Sequence, residues 1–214
     1  MFSDHMCLII LAMSVEQRQT LLFLPGIGES PERMRFFKTA GEKWAPYGID
    51  ARVIPVGWKD NGGFTNKLSR LDDEIEEELT KGRLVSLLGV SAAGPLVLSA
   101  FIEHPEMHKV VTVSSRNSSK YVEGYAPFDY VDQVHNTASE GVLWLEQNER
   151  FLTDEMRRCV MNTRAISGDK QVAPAMSYVK GAENIWMPPA RNHIHAVSTT
   201  LRANSEVIVE FLNK

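Results

Sequence analysis

Apolar residues in this chain gather in short unbroken runs, separated by longer stretches in which they recur every three or four positions. Short runs bounded by turn residues fit strands buried on both faces, and the three-to-four spacing fits helices with one buried side. Thr20-Leu21-Leu22-Phe23-Leu24 is the first such run, and Pro25-Gly26-Ile27-Gly28 stops it. Ser30-Pro31 then supplies a helix N-cap and a first-turn proline ahead of Met34, Phe37 and Trp44. Residues 49–56 predict the next strand. A loop rich in Gly and Asn follows over 57–66, and Leu68, Leu71, Ile75 and Leu79 mark the buried face of a second helix. The strand-then-helix pair repeats at 84–88 and 92–103, and 108–114, 164–168 and 184–187 predict further strands. A terminal helix runs through Leu201, Val207 and Ile208. This alternation implies an α/β fold, a mostly parallel central sheet flanked by helices, in a single domain over residues 1–214.

Residues 116–160 are the least regular stretch. They begin polar, turn aromatic at Tyr121, Tyr125, Phe128 and Tyr130, and become helical over 155–161. A small lid and a plain connecting helix with a long loop fit this pattern equally. The acidic cluster at 72–78 surrounds Ile75, which must point inward, so it predicts a solvated helix face and not a metal site.

Composition narrows the function classes. With 43% hydrophobic and 23% charged residues the chain is an ordinary globular one, and a net charge of -4 provides no electrostatic footprint for nucleic acid. Cys7 and Cys159 lie far apart without metal-type spacing, which fits a reducing compartment, so the cytoplasm is the expected location. The apolar run at 7–13 is too short to span a membrane, and Asp4 and His5 precede it where a signal peptide carries Lys or Arg. Met6 and Met13 also offer starts, which leaves open whether the first dozen residues belong to the natural product.

Candidate chemistry begins at Gly89-Val90-Ser91-Ala92-Ala93, between a predicted strand and a predicted helix. A serine on a sharp strand-to-helix turn presents its hydroxyl outside the sheet, and its neighbours must be small because the two backbones nearly touch. Gly89, Ala92, Ala93 and Gly94 meet that demand. A serine hydroxyl is a poor nucleophile at neutral pH, so it needs a histidine to take its proton and a carboxylate to orient that histidine. Downstream, Gly168-Asp169-Lys170-Gln171-Val172 places an acid after a strand, and Asn192-His193-Ile194-His195 follows the last strand. His193 is the first choice for the base and His195 the alternative; Asp129 and Asp132 are fallback acids. His104, His108 and His135 fit structural positions.

Taken together, Leu24-Pro25-Gly26-Ile27-Gly28, the serine turn, the segment 168–174 and His193 ahead of a terminal helix resemble the α/β-hydrolase superfamily, from about Thr20 to the C-terminus. The order serine, acid, histidine is that of this fold. The resemblance implies that Ser91 is the nucleophile, Asp169 the orienting acid and His193 the base of a small serine hydrolase. It further implies an oxyanion hole made by the backbone N–H of Ala92 and one from Gly26 or Ile27. Such an enzyme cleaves a small carboxylic ester, thioester or amide through an acyl-serine intermediate, and no metal or organic cofactor is implied. Its partner is a small acyl substrate, with short acyl chains expected from the size of the chain. Three features depart from the commonest pattern: Ala93 replaces a second glycine, Pro25 stands where a histidine often precedes the glycine, and Gly168 directly precedes the acid.

Two other readings compete. A strand followed by Gly26-Ile27-Gly28 resembles a phosphate-cradling loop, but the third glycine would fall at Pro31 and no acidic residue ends the next strand. The second is a non-catalytic binding protein on the same fold, because fold alone does not dictate function.

Overall fold

A computed structural model describes residues 19–125 and 133–214, without the side chains of 133–135. Among the described residues the strands are β1 (Gln19–Leu24), β2 (Ile49–Val53), β3 (Leu84–Val90), β4 (Lys109–Val113), β5 (Val160–Ala165) and β6 (Glu183–Met187). They form one sheet in the order β2-β1-β3-β4-β5-β6, and every pair is parallel. The helices are α1 (Pro31–Glu42), α2 (Phe64–Thr80), α3 (Ala93–Glu103), α4 (Gln133–Asn148), α5 (Asp154–Arg158), α6 (Pro174–Ser177), α7 (His193–Arg202) and α8 (Glu206–Leu212).

Alternation along each strand explains why the runs read as continuously apolar. Leu21 and Phe23 of β1 enter a core under α1, α7 and α8, with Phe37, Leu201 and Phe211. Leu22 and Leu24 enter the opposite core, with Leu71 and Ile75 of α2, Leu96 of α3 and Leu145 of α4. Helices cover both faces, so β1 is buried along its whole length. The chain moves from β1 outward to β2, then crosses to β3 on the other side of β1. Loops leaving β1 and β3 therefore diverge at their C-terminal ends and open a crevice there, the usual place for a ligand in such sheets.

Several boundaries differ from those predicted. The second strand ends at Val53 and not at 56, because Pro55 has no N–H to continue the ladder. The strand predicted over 164–168 occupies Val160–Ala165, and the helix predicted over 155–161 stops at Arg158. Polar residues hid this strand: Asn162 and Thr163 are fully buried, and Asn162 bonds Thr112 on β4 and Asn184 on β6. Helix α4 lies in the stretch read as irregular and packs against α3 and α2. Phe128, Asp129, Tyr130 and Asp132 fall outside the described residues, as do Cys7 and the apolar run at 7–13.

The acidic cluster also differs from a purely solvated face. Glu78 is buried and binds Thr20, Arg52, Lys81 and Arg83, tying α2 to the N-terminal edge of β1 and β3. Those cations hold its carboxyl below the ordinary range even though burial opposes them.

Candidate active site

Ser91 directly follows β3 with φ at 54°, in the left-handed region. A side chain there costs about 1 to 2 kcal/mol, which the surrounding fold must offset. Its N–H donates to the Val113 carbonyl of β4 at 2.9 Å. A Cβ on Gly89 would meet the Ala93 carbonyl oxygen at 2.5 Å, so strand and helix do approach as closely as the small residues suggested.

His193 is the first residue of α7. Asn192 caps that helix by accepting the His195 N–H at 2.9 Å, and this sets the imidazole over the serine turn. His193 Nε2 lies 2.8 Å from Ser91 Oγ, and its Nδ1 lies 2.8 Å from Asp169 Oδ2. The carboxylate is 5% exposed, in the loop after β5. Its other oxygen, Oδ1, accepts the backbone N–H of Gln171 at 3.0 Å and of Val172 at 3.1 Å. Gly168 has φ at 87°, and a Cβ there would lie 1.6 Å from the Ala190 carbonyl oxygen. Only glycine lets the acid loop press against the segment that delivers His193, and Ala190 N–H donates to Ser167 across the same contact at 2.8 Å.

The structure thus brings Ser91, His193 and Asp169 into one hydrogen-bonded chain. It leaves His195 out: that ring accepts the Arg191 N–H through Nδ1 at 3.3 Å. His108 bonds the Leu212 carbonyl, its pKa lowered by burial, and His104 faces Asp72 and Glu106. The side chain of His135 lies outside the described residues. No cluster of three or more His, Cys, Asp or Glu among the described residues is arranged to hold a metal ion.

Gly26 follows β1 and packs on the serine, where a Cβ would come within 2.8 Å of Ser91 Cβ. Ala92 is the N-cap of α3, at a helix end whose backbone N–H groups have no partner within the helix. Gly26, Ile27, Ser91, Ala92 and His193 share the lining of a cavity of about 610 Å³. Phe36, Phe37, Pro95, Val142, Val172 and Val197 make much of the remaining wall. Arg33 and Arg116 are its charged members, and burial lowers the pKa of Arg116 from its ordinary value.

Three residues around this loop carried no sequence signal. Arg33 donates through Nη1 to the carbonyls of Ile27 and Gly28 at 3.1 and 3.3 Å. Trp58 Nε1 donates to the Pro25 carbonyl at 3.1 Å. The Glu29 carboxylate accepts the backbone N–H groups of Val56, Gly57 and Trp58. Each tie joins separate elements or a helix to a loop, and no short motif encodes such a contact.

Neither a protein-family model nor a curated protein matches the sequence. Solved structures do match. A Bacillus licheniformis lipase, BlEst2 in mature form, aligns over 92% of this chain and 92% of its own with 14% identity and a TM-score of 0.61. A Paleococcus ferrophilus monoacylglycerol lipase covers 92% and 94% at 17% identity, TM-score 0.61. The ydeN gene product of B. subtilis covers 92% and 100% at 13% identity, TM-score 0.64. The chain has the α/β-hydrolase fold. At such identities the likeness speaks for architecture, and the α/β-hydrolase fold carries its chemistry in the loops at the C-terminal ends of its strands. No helix among the described residues is long and apolar enough to cross a membrane.

Proposed function

We propose that this protein is a serine hydrolase acting on a small carboxylic ester, with thioesters and amides as chemically related substrates. The observation that carries the reading is the continuous chain from Ser91 Oγ through both nitrogens of His193 to Asp169, with 2.8 Å at each link. In this reading Ser91 Oγ attacks the acyl carbonyl while its proton passes to His193 Nε2. Asp169 keeps the Nδ1 proton in place and stabilises the imidazolium that forms. Negative charge developing on the carbonyl oxygen is met by backbone N–H groups of Ala92 and of Gly26 or Ile27, donors worth roughly 3 to 4 kcal/mol each in such sites. His193 then returns its proton to the leaving alcohol. Water repeats the sequence on the acyl-serine and frees the acid.

Support also comes from the lipase structures that share the fold, and from the largely apolar wall, which suits an acyl chain. The reading takes α4, within the stretch 116–160, as a small cover over the site, since Ala138, Ser139 and Val142 line the cavity. The widely spaced cysteines favour the cytoplasm. The test is labelling with a fluorophosphonate, followed by peptide mass spectrometry, on wild type and Ser91→Ala. Modification at Ser91 that disappears in the variant is expected; folded wild type that stays unlabelled would leave a non-catalytic binding protein.

A further inference from the structure

The N–H of Ile27 belongs to the peptide unit between Gly26 and Ile27, and the peptide units on either side of it are both held by side chains from elsewhere. On one side, the Pro25 carbonyl accepts the Trp58 indole N–H at 3.1 Å. On the other, the Ile27 carbonyl accepts Arg33 Nη1 at 3.1 Å, and the same nitrogen reaches the Gly28 carbonyl at 3.3 Å. Gly28 O also accepts the Ser30 N–H at 2.9 Å, so the loop is tied into the start of α1. Between these ties Gly26 lies against Ser91, where even one added carbon would come within 2.8 Å of the serine Cβ.

The tryptophan anchor is buried, and the arginine reaches the loop from an exposed position on α1. Trp58 is 2% exposed, and its backbone N–H, with those of Val56 and Gly57, binds the Glu29 carboxylate that follows Gly28. Lys67 holds the Gly57 carbonyl at 2.7 Å from α2. Arg33 leaves the first turn of α1, whose N-cap is Ser30. A peptide free to rotate has no set direction for its N–H, whereas a peptide with both neighbours pinned keeps one orientation before any substrate arrives. Preorganised donors of this kind act where charge develops, with no reorganisation during the reaction.

We infer that Arg33 and Trp58 are positioning residues that lock the Gly26–Ile27 peptide over Ser91 as an oxyanion donor. This builds on the serine hydrolase reading. Because both act through the loop, their loss lowers the rate of acyl transfer while leaving the binding of uncharged substrates nearly intact. A guanidinium that bound the substrate itself would show the reverse.

The experiment compares wild type, Arg33→Met, Arg33→Lys and Trp58→Phe as full-length proteins with matched thermal melts. Two quantities are read: the second-order rate of fluorophosphonate labelling at Ser91, and kcat and KM on uncharged p-nitrophenyl esters. Arg33→Met should label and turn over about tenfold more slowly, less than the loss from deleting a donor, with KM within about twofold. Arg33→Lys should recover part of that loss, and Trp58→Phe, which keeps a ring but loses the N–H, should also lower kcat. Wild-type rates in folded Arg33→Met and Trp58→Phe would overturn the inference alone, as would a raised KM with kcat intact. A wild type that Ser91-directed probes do not label would remove the serine hydrolase reading and this inference with it.

Discussion

Asp169 meets His193 through one carboxylate oxygen only: Oδ2 lies 2.8 Å from Nδ1, while Oδ1 is taken by the N–H groups of Gln171 and Val172. In Asp169→Asn the carbonyl oxygen would keep the two backbone donors, and the amide NH2 would face the imidazole. Nδ1 would then have to accept, which places the ring proton on Nε2 and blocks proton removal from Ser91. The expected result is a fall in kcat of roughly 10⁴ with a melting temperature close to wild type. Steady-state kinetics beside a thermal melt checks both halves.

The two histidines near the C-terminus should separate cleanly. His193→Gln is expected to lower kcat/KM by at least about 10³, because it removes the only ring bonded to the serine among the described residues. His195→Gln loses a contact with the Arg191 N–H and should change kcat/KM by less than about threefold. Comparable losses in both variants would show that His195 shares the role of base.

Ser91 stands at φ 54°, a conformation glycine adopts freely and alanine does not. Ser91→Gly and Ser91→Ala should both be inactive. They should differ in stability, with the glycine variant higher by about 1 kcal/mol in denaturant titration. Equal midpoints would mean that the turn relaxes once the hydroxyl is gone.

A group far from the cavity should govern part of the pH dependence of stability. Asp72 on α2 is pushed up to about 6, first by burial and then by the neighbouring Glu103, with His104 opposing. Its folded pKa lies above its unfolded one, so the folded state holds the extra proton between about pH 4 and 6, and stability falls as pH rises through that window. Asp72→Asn should therefore stabilise the protein at pH 7, by about 1 kcal/mol after allowance for solvent screening of a side chain that is 22% exposed, and by little at pH 4. Urea unfolding at the two pH values tests this.

Local chemistry explains what could be read from the chain. The small residues around Ser91 are demanded by a turn only a few residues long, so the demand is met within one stretch: Gly89 sits under Ala93, and Ala92 is the N-cap of α3. The capping pair Ser30-Pro31 is local in the same sense and starts α1 where expected. The first four residues of β5 escaped because its buried positions hold Asn162 and Thr163, whose partners Thr112 and Asn184 lie on β4 and β6. Helix α4 escaped because Gly141 and Ser139 interrupt its apolar spacing; its contact with Phe64 on α2 needs that glycine.

The alternation of buried strands and one-sided helices, the serine turn, and an acid and two histidines after later strands are all legible along the chain. These follow from periodicity and backbone sterics, which act over a few residues. Tertiary structure alone decided that His193 and not His195 reaches Ser91, since Asn192 caps a helix that begins at His193 and holds both rings, sending them different ways. It alone joined Arg33 and Trp58 to the loop after β1, because Trp58 and Pro25 meet only once β1 and β2 lie side by side. Contacts across a folded sheet depend on where elements dock, and that is settled by the burial of whole faces together, not by any short run of residues.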